Sequence, residues 1–171
     1  MVDIKFHGTG KTFGMTVLLD APRDLVWQAW STREAMSKWW GPKGFGIDVT
    51  RFEFRPGGMF LYSMKLPNGD VWWGRFIYRE IVPQEKIVFA NGFSDANGGL
   101  TRAPFNEIWP LETLSTVMFT SQGGKTLLVS EGGPLTDNAA ELKAFDDMRQ
   151  SMQGGYTGTM EQLADYLKGA K

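Results

Sequence analysis

The chain has 171 residues, 18 basic and 19 acidic side chains for a formal charge of −1, no cysteine and a single histidine, His7. These figures exclude thiol nucleophiles, zinc ribbons, disulfide scaffolds and multi-histidine metal centres, and the interspersed charges leave no electrostatic footprint for nucleic acid. One domain over residues 1–171 fits this length, and such a chain buries roughly 70% of the surface its unfolded form exposes, so its core needs no disulfide or metal.

The segment from Thr12 to Leu19 reads as a strand that Asp20-Ala21-Pro22 stops. Proline is pre-organised for the first turn of a helix, where its missing N–H would have no partner anyway, so a helix is expected next. Leu25, Val26, Ala29 and Trp30 recur at helical spacing over about two turns. Ser31 and Glu34 form a capping-box pattern that opens a second short helix to about Trp39, and Gly41-Pro42 ends it. Residues before Thr12, His7 among them, are expected to fray, with order from about residue 12 to 168.

Between Gly46 and Glu131 no helical stretch survives its own glycines and prolines. Strands are expected at about Ile47 to Phe54, Met59 to Leu66, Val71 to Val82, Lys86 to Phe93, Leu111 to Thr120 and Thr126 to Ser130. Arg55-Pro56-Gly57-Gly58, Pro67-Asn68-Gly69-Asp70 and Gly123-Gly124 carry hairpin turn chemistry, which makes neighbouring strands antiparallel. The connection from Ser94 to Pro110 is long enough to be either mobile or functional.

The closing segment is helical. Asn138 and Glu141 offer an N-cap and its reciprocal partner, and Leu142, Phe145, Met148, Met152, Tyr156, Met160, Leu163 and Leu167 mark one apolar stripe. About 30 residues would span roughly 45 Å. Gly154, Gly155 and Gly158 each cost about 1 kcal/mol relative to alanine, so either the helix kinks or breaks there or another backbone comes close. Gly169 is the expected stop.

A strand, two short helices, six strands and one long helix do not alternate as a βαβ protein would. They specify an α+β fold with a curved antiparallel sheet of about seven strands wrapped around a long C-terminal helix. One helix cannot fill the concave face of such a sheet everywhere, and the remaining volume is a cavity. That gives a role to seven Trp, twelve Phe, four Tyr and nine Met: part of this excess is cavity wall rather than core filler.

Asp20-Ala21-Pro22, Trp39-Trp40-Gly41-Pro42, Arg55-Pro56-Gly57-Gly58 and the run from Gly74 through Glu80-Ile81-Val82-Pro83-Gln84-Glu85 to Phe89 form an ordered series. Gly123-Gly124-Lys125-Thr126 and the stretch from Gly155-Tyr156 through Leu163 to Leu167 continue it. The series resembles the activator of Hsp90 ATPase homologue 1-like (AHSA1-like) family of the START or Bet v 1-like (SRPBCC) superfamily, over the span from about Thr12 to Leu167. The resemblance implies the helix-grip fold. It departs at Tyr156, where the family usually carries tryptophan; the phenol keeps the packing role and adds a polar tip.

By the resemblance, Phe60, Tyr62, Met64 and Phe76 face the cavity, and Trp39-Trp40 stand beside its mouth, one plugging the junction of hairpin and sheet, the other gating the opening. Trp109, Met148, Met152 and Tyr156 complete the expected ligand-binding set. Arg102 and Glu107 flank Phe105 on the long loop as candidate polar contacts of a lid. Asp146 and Asp147 diverge by about 100 degrees on their helix and are expected to be solvated.

No nucleophile has a visible base, no phosphate loop precedes a helix and no metal-ligand spacing exists, so neither cofactor nor metal is expected. The reading is a protein that binds a small hydrophobic or aromatic molecule between the C-terminal helix and the sheet. Two alternatives stand beside it. One is an Hsp90-type chaperone co-regulator, an activity that in this family goes with an additional amino-terminal domain for which this chain has no room. The other is a cyclase or aromatase-like enzyme using Tyr62, Tyr156, Arg102 and Glu107. An exposed strand edge or the aromatic hairpin could support a weak homodimer. No apolar run approaches the roughly 20 residues of a membrane span. The lack of cysteine and of a secretory leader matches a cytoplasmic protein.

Overall fold

The computed structural model describes residues 2–170. In chain order its elements are β1 (Asp3–His7), β2 (Phe13–Leu19), α1 (Arg23–Ser31), α2 (Arg33–Trp39), β3 (Gly46–Phe52), β4 (Met59–Lys65), β5 (Val71–Val82), β6 (Lys86–Ser94), β7 (Thr113–Gln122), β8 (Lys125–Pro134), α3 (Ala139–Asp147) and α4 (Arg149–Ala170). The strands form one antiparallel sheet in the order β1-β2-β8-β7-β6-β5-β4-β3. This is the expected α+β helix-grip arrangement, with α4 laid against the inner face of the sheet. Register shifts between Val49 and Arg51 in β3 and between Tyr78 and Glu80 in β5 mark bulges, which bend and twist the strands that carry them.

Eight strands replace the expected seven. The added one is β1, where fraying was expected: it pairs with β2 from Asp3↔Leu18 to His7↔Gly14. Ile4 and Phe6 pack against the core, while Asp3, Lys5 and His7 alternate with them on the outer face. Gly14 makes this pairing possible, because a Cβ there would overlap the His7 ring. β8 also runs past its expected end at Ser130, through Gly132 and Gly133 to Pro134. Those glycines are ladder positions, where a side chain on Gly132 would strike the Leu114 carbonyl.

The second short helix is capped by Thr32, not Ser31. Ser31 ends α1, and extended Thr32 (φ −125, ψ 143) joins the two helices, its hydroxyl accepting from the Ala35 N–H at 3.3 Å. The end of this hairpin is clamped to α4. The Thr159 hydroxyl donates to the Gly41 carbonyl (3.0 Å), and the Gln162 amide donates to the carbonyls of Gly41 (2.7 Å) and Trp39 (3.1 Å). Gly41 has φ +103, a conformation that favours glycine.

The terminal helix breaks at Met148 rather than at the glycines. Asn138 caps α3 as expected, its side chain accepting from Glu141 N–H at 3.0 Å, and Met148 (φ −93, ψ 9) then separates α3 from α4. The break lets Arg149 donate to the Gly10 and Thr12 carbonyls (2.7 and 2.8 Å) in the β1–β2 turn, while it pairs with Asp146 at 3.0 Å. α4 continues through all its glycines and past Gly169 to Ala170. At Gly158 the alternative of a close approach holds, since a Cβ would lie 3.1 Å from Lys43 Cβ and 3.3 Å from its nitrogen. Gly154 is exposed and faces open space. Gly154→Ala is therefore expected to stabilise the protein by about 0.5–1 kcal/mol, read as a higher urea midpoint, whereas Gly158→Ala must displace the Lys43 segment and should not stabilise.

Met160, Leu163 and Leu167 of α4 are buried, and they join Trp27, Trp30 and Trp39 of the hairpin and Phe60, Phe76 and Phe89 of the sheet in one core. No helix among the described residues is long and apolar enough to cross a membrane.

Candidate ligand-binding cavity

Above this core, toward the end of the sheet where β5 and β7 begin, α4 and the inner sheet face stand apart. The space has two adjoining lobes of about 190 and about 240 Å³. Tyr62, Met64, Asn91, Phe93, Met152 and Tyr156 line both and form the waist between them. One lobe extends under the α3–α4 joint to Phe13, Met15, Trp109 and Phe145, over a floor containing Thr113, Ser115 and Ser130. The other extends to the end of the hairpin at Trp40, Gly41 and Pro42, and to Gly155 and Thr159 of α4.

Period-two alternation puts these side chains on one face, and the ladder aligns them: Tyr62↔Gly74, Gly74↔Phe93, Asn91↔Thr113 and Met15↔Ser130. Gly74 is the position that lets the Tyr62 ring lean across its neighbouring strand, because a Cβ there would sit 2.5 Å from the phenol oxygen. The mouth is ringed by aromatics. Phe105 packs on Trp72 (5.9 Å between centroids) and Phe93 (5.6 Å), Trp109 bridges Phe105 (5.5 Å) and Phe145 (5.6 Å), and Phe13 meets Tyr156 at 5.6 Å. The loop that carries Phe105 leaves that ring 43% exposed and Ile108 49% exposed.

No charged side chain lines either lobe among the described residues. Burial raises the Tyr62 phenol above its ordinary value; the Trp40 indole beside it offsets part of that rise, and the nearby Tyr156 adds to it. Burial likewise raises Tyr156, and raises Tyr78 in the core below. All three favour the neutral form in the folded state. Their contribution to stability is thus fully present below the ordinary phenol value of about pH 10 and is lost as the pH climbs from there toward the raised values. In an alkaline titration, phenolate absorbance from these three tyrosines should appear only together with the loss of near-ultraviolet dichroism. Their ionisation near pH 10 in a still-folded protein would contradict this burial.

Of the expected ligand-binding residues, Trp40, Tyr62, Met64, Trp109, Met152 and Tyr156 line the lobes. Trp39, Phe60 and Phe76 do not. Each is fully buried one layer deeper, Trp39 donating its indole N–H to the Ala29 carbonyl at 2.8 Å and Phe76 stacking on Phe89 at 4.0 Å. Met148, where α3 gives way to α4, lines neither lobe. Arg102 lines neither lobe: it donates to the Trp109 carbonyl (3.2 Å) and pairs with Glu141 of α3 (3.4 Å). Glu107 is exposed and lines neither lobe. Asp147 is exposed as expected, and Asp146 pairs with Arg149.

Sequence reasoning missed Phe13, Met15, Asn91, Phe93 and the hydroxyl floor. The signal was present in β6, where Ile87, Phe89, Asn91 and Phe93 fall at alternate positions, a polar residue inside an otherwise apolar inward set. Asn91 is held by Thr113, whose hydroxyl donates to its side-chain oxygen at 2.7 Å.

Solved structures share this architecture. Protein Ms6760 from Mycobacterium smegmatis is 23% identical with a TM-score of 0.77, the match covering 98% of this chain and 97% of that one. A solution structure of a protein from Arthrobacter aurescens is 23% identical with a TM-score of 0.80, over 96% and 91% of the two chains. The AHSA1 protein from Silicibacter pomeroyi is 17% identical with a TM-score of 0.67, over 94% and 99%. At these identities the likeness is one of fold. No curated protein sequence matches the chain. The family model described as activator of Hsp90 ATPase homolog 1-like protein matches residues 20–168, and on that match the chain belongs to this family, with its SRPBCC or Bet v 1-like fold.

Proposed function

We propose that the protein binds a small, neutral, apolar or aromatic molecule in the bilobed cavity between α4 and the sheet. The observation that carries this reading is the lining: aromatic rings and methionines around a space with no charged side chain among the described residues. Pockets for small molecules are of this kind, mostly apolar with a few placed polar groups, and methionine walls adapt to more than one shape. The enzyme alternative gains no support, since Tyr62 and Tyr156 line the cavity whereas Arg102 and Glu107 do not. Nothing observed on this chain favours the chaperone alternative over ligand binding.

The test is a titration with neutral N-phenylnaphthylamine, following probe fluorescence and the quenching of tryptophan emission from Trp40 and Trp109. Saturable uptake of one probe per chain is the expected result. A linear, unsaturable response with unchanged tryptophan emission would overturn the proposal.

A further inference from the structure

The waist of the cavity carries side chains that can donate hydrogen bonds. Of the six residues shared by the two lobes, Met64, Phe93 and Met152 are apolar, while Tyr62, Asn91 and Tyr156 carry hydrogen-bonding groups. The Thr113 hydroxyl donates to the Asn91 oxygen at 2.7 Å, so the amide nitrogen faces away from Thr113. The Asn91 nitrogen is left with two N–H donors and bonds to no protein acceptor among the described residues.

Tyr62 and Tyr156 add two phenol hydroxyls to the same waist. The Trp40 indole packs edge-on to the Tyr62 ring, 6.3 Å between centroids. Both phenols are protonated at neutral pH, burial raises them further, and each can donate. The hydroxyls of Ser115 and Ser130 on the floor rotate to suit whatever they meet.

We propose that Asn91, with Tyr62 and Tyr156 beside it, forms a donor subsite that selects ligands carrying a neutral acceptor oxygen, a ketone or aldehyde carbonyl above all. A carbonyl oxygen accepts two hydrogen bonds and donates none, so it fits the Asn91 N–H groups and the phenol hydroxyls beside them, all of which can donate. A carboxylate would bring a charge into lobes that hold no cation among the described residues, and a hydrocarbon would leave the Asn91 N–H groups without a partner. The inference rests on the ligand-binding reading above and extends it to the ligand's chemistry.

The experiment compares acetylnaphthalene, ethylnaphthalene and naphthoate by calorimetric titration at neutral pH, with the infrared carbonyl band of bound acetylnaphthalene as a second readout. One neutral hydrogen bond is expected to favour acetylnaphthalene over ethylnaphthalene by about three- to tenfold, with naphthoate weakest. The carbonyl band should shift to lower frequency on binding. In Asn91→Leu the preference for acetylnaphthalene over ethylnaphthalene should vanish and the carbonyl band should return toward its position in hydrocarbon solvent. Equal affinity of the two neutral probes for the unmodified protein, with an unshifted band, would overturn the donor subsite and leave the cavity reading standing. Naphthoate binding as tightly as acetylnaphthalene would do the same. Failure of all three probes to bind would overturn both.

Discussion

Gly155→Leu is expected to weaken N-phenylnaphthylamine binding by about tenfold or more, and Gly155→Trp to abolish it, while the fold remains at least as stable as before. Gly155 lines the lobe beside the hairpin, and a Cβ built on it meets nothing within 4 Å. A larger side chain therefore grows into the cavity, not into protein. Excluding a ligand from as little as about 60 Å² of apolar wall forfeits about 1.5 kcal/mol, which is the tenfold loss. On the folded protein the same change removes a mid-helix glycine, worth up to about 1 kcal/mol of stability. Two measurements on each variant decide the matter, the probe titration and the urea midpoint. Undiminished binding by a stable Gly155→Trp protein would place the ligand outside this space.

Trp39→Ala is expected to cost about 3–5 kcal/mol, the largest single effect on stability. Its side chain is fully buried, packs edge-on against Trp30 (4.9 Å between centroids) and Trp40 (5.6 Å), and satisfies the Ala29 carbonyl near the end of α1. Truncation opens a cavity at the junction of hairpin, sheet and α4 and leaves that carbonyl without its partner. Against the roughly 5–15 kcal/mol that holds a native domain together, the change should lower the melting temperature by about 6–20 °C. Trp39→Phe keeps an aromatic ring in the core but loses the hydrogen bond and part of the indole volume, so it should fall between. Because Trp39 lines neither lobe, the Phe variant should bind probe as the unmodified protein does. If Trp39→Phe lost probe binding without losing stability, Trp39 would be part of the binding wall and its place as a plug would be refuted.

The pair Trp39-Trp40 shows how far local pattern reaches. Adjacent residues at a helix end point in different directions, so sequence alone can say that one plugs and the other gates without saying which. The clamp from Thr159 and Gln162 onto Gly41 and Trp39 makes the choice: it fixes where the hairpin meets α4 and turns Trp40 toward Tyr62. Phe60 and Phe76 illustrate the same limit in depth. Alternation left their face open and the family resemblance chose it, but Trp40 and Phe89 cover Phe76 and keep it below the cavity floor.

Position along the terminal helix was also beyond local reading. Glycine is the poorest helix former short of proline, so Gly154, Gly155 and Gly158 allow either a break or a close backbone approach, and α4 runs through all three. The actual break at Met148 is tied to Arg149, which holds the turn between β1 and β2 from more than a hundred residues away in sequence. β1 itself was missed because five residues alternating charged with apolar carry too little pattern to stand out, and its partner is a glycine-containing strand.

What the sequence determined by itself is what depends on near neighbours: the turn glycines, the Asn138 cap, the alternation along β4 to β7, the hairpin after Pro22 and the family-specific order of these pieces. Only the tertiary structure decided the depth of each inward side chain and the polarity of the cavity waist. Asn91 reads as one polar residue in an apolar strand until β6 and β7 are in register, 22 residues apart, and Thr113 takes its oxygen. Hydrogen-bond partners and cavity walls are made by residues far apart in the chain, and the curvature of the sheet, which no single segment encodes, brings them together.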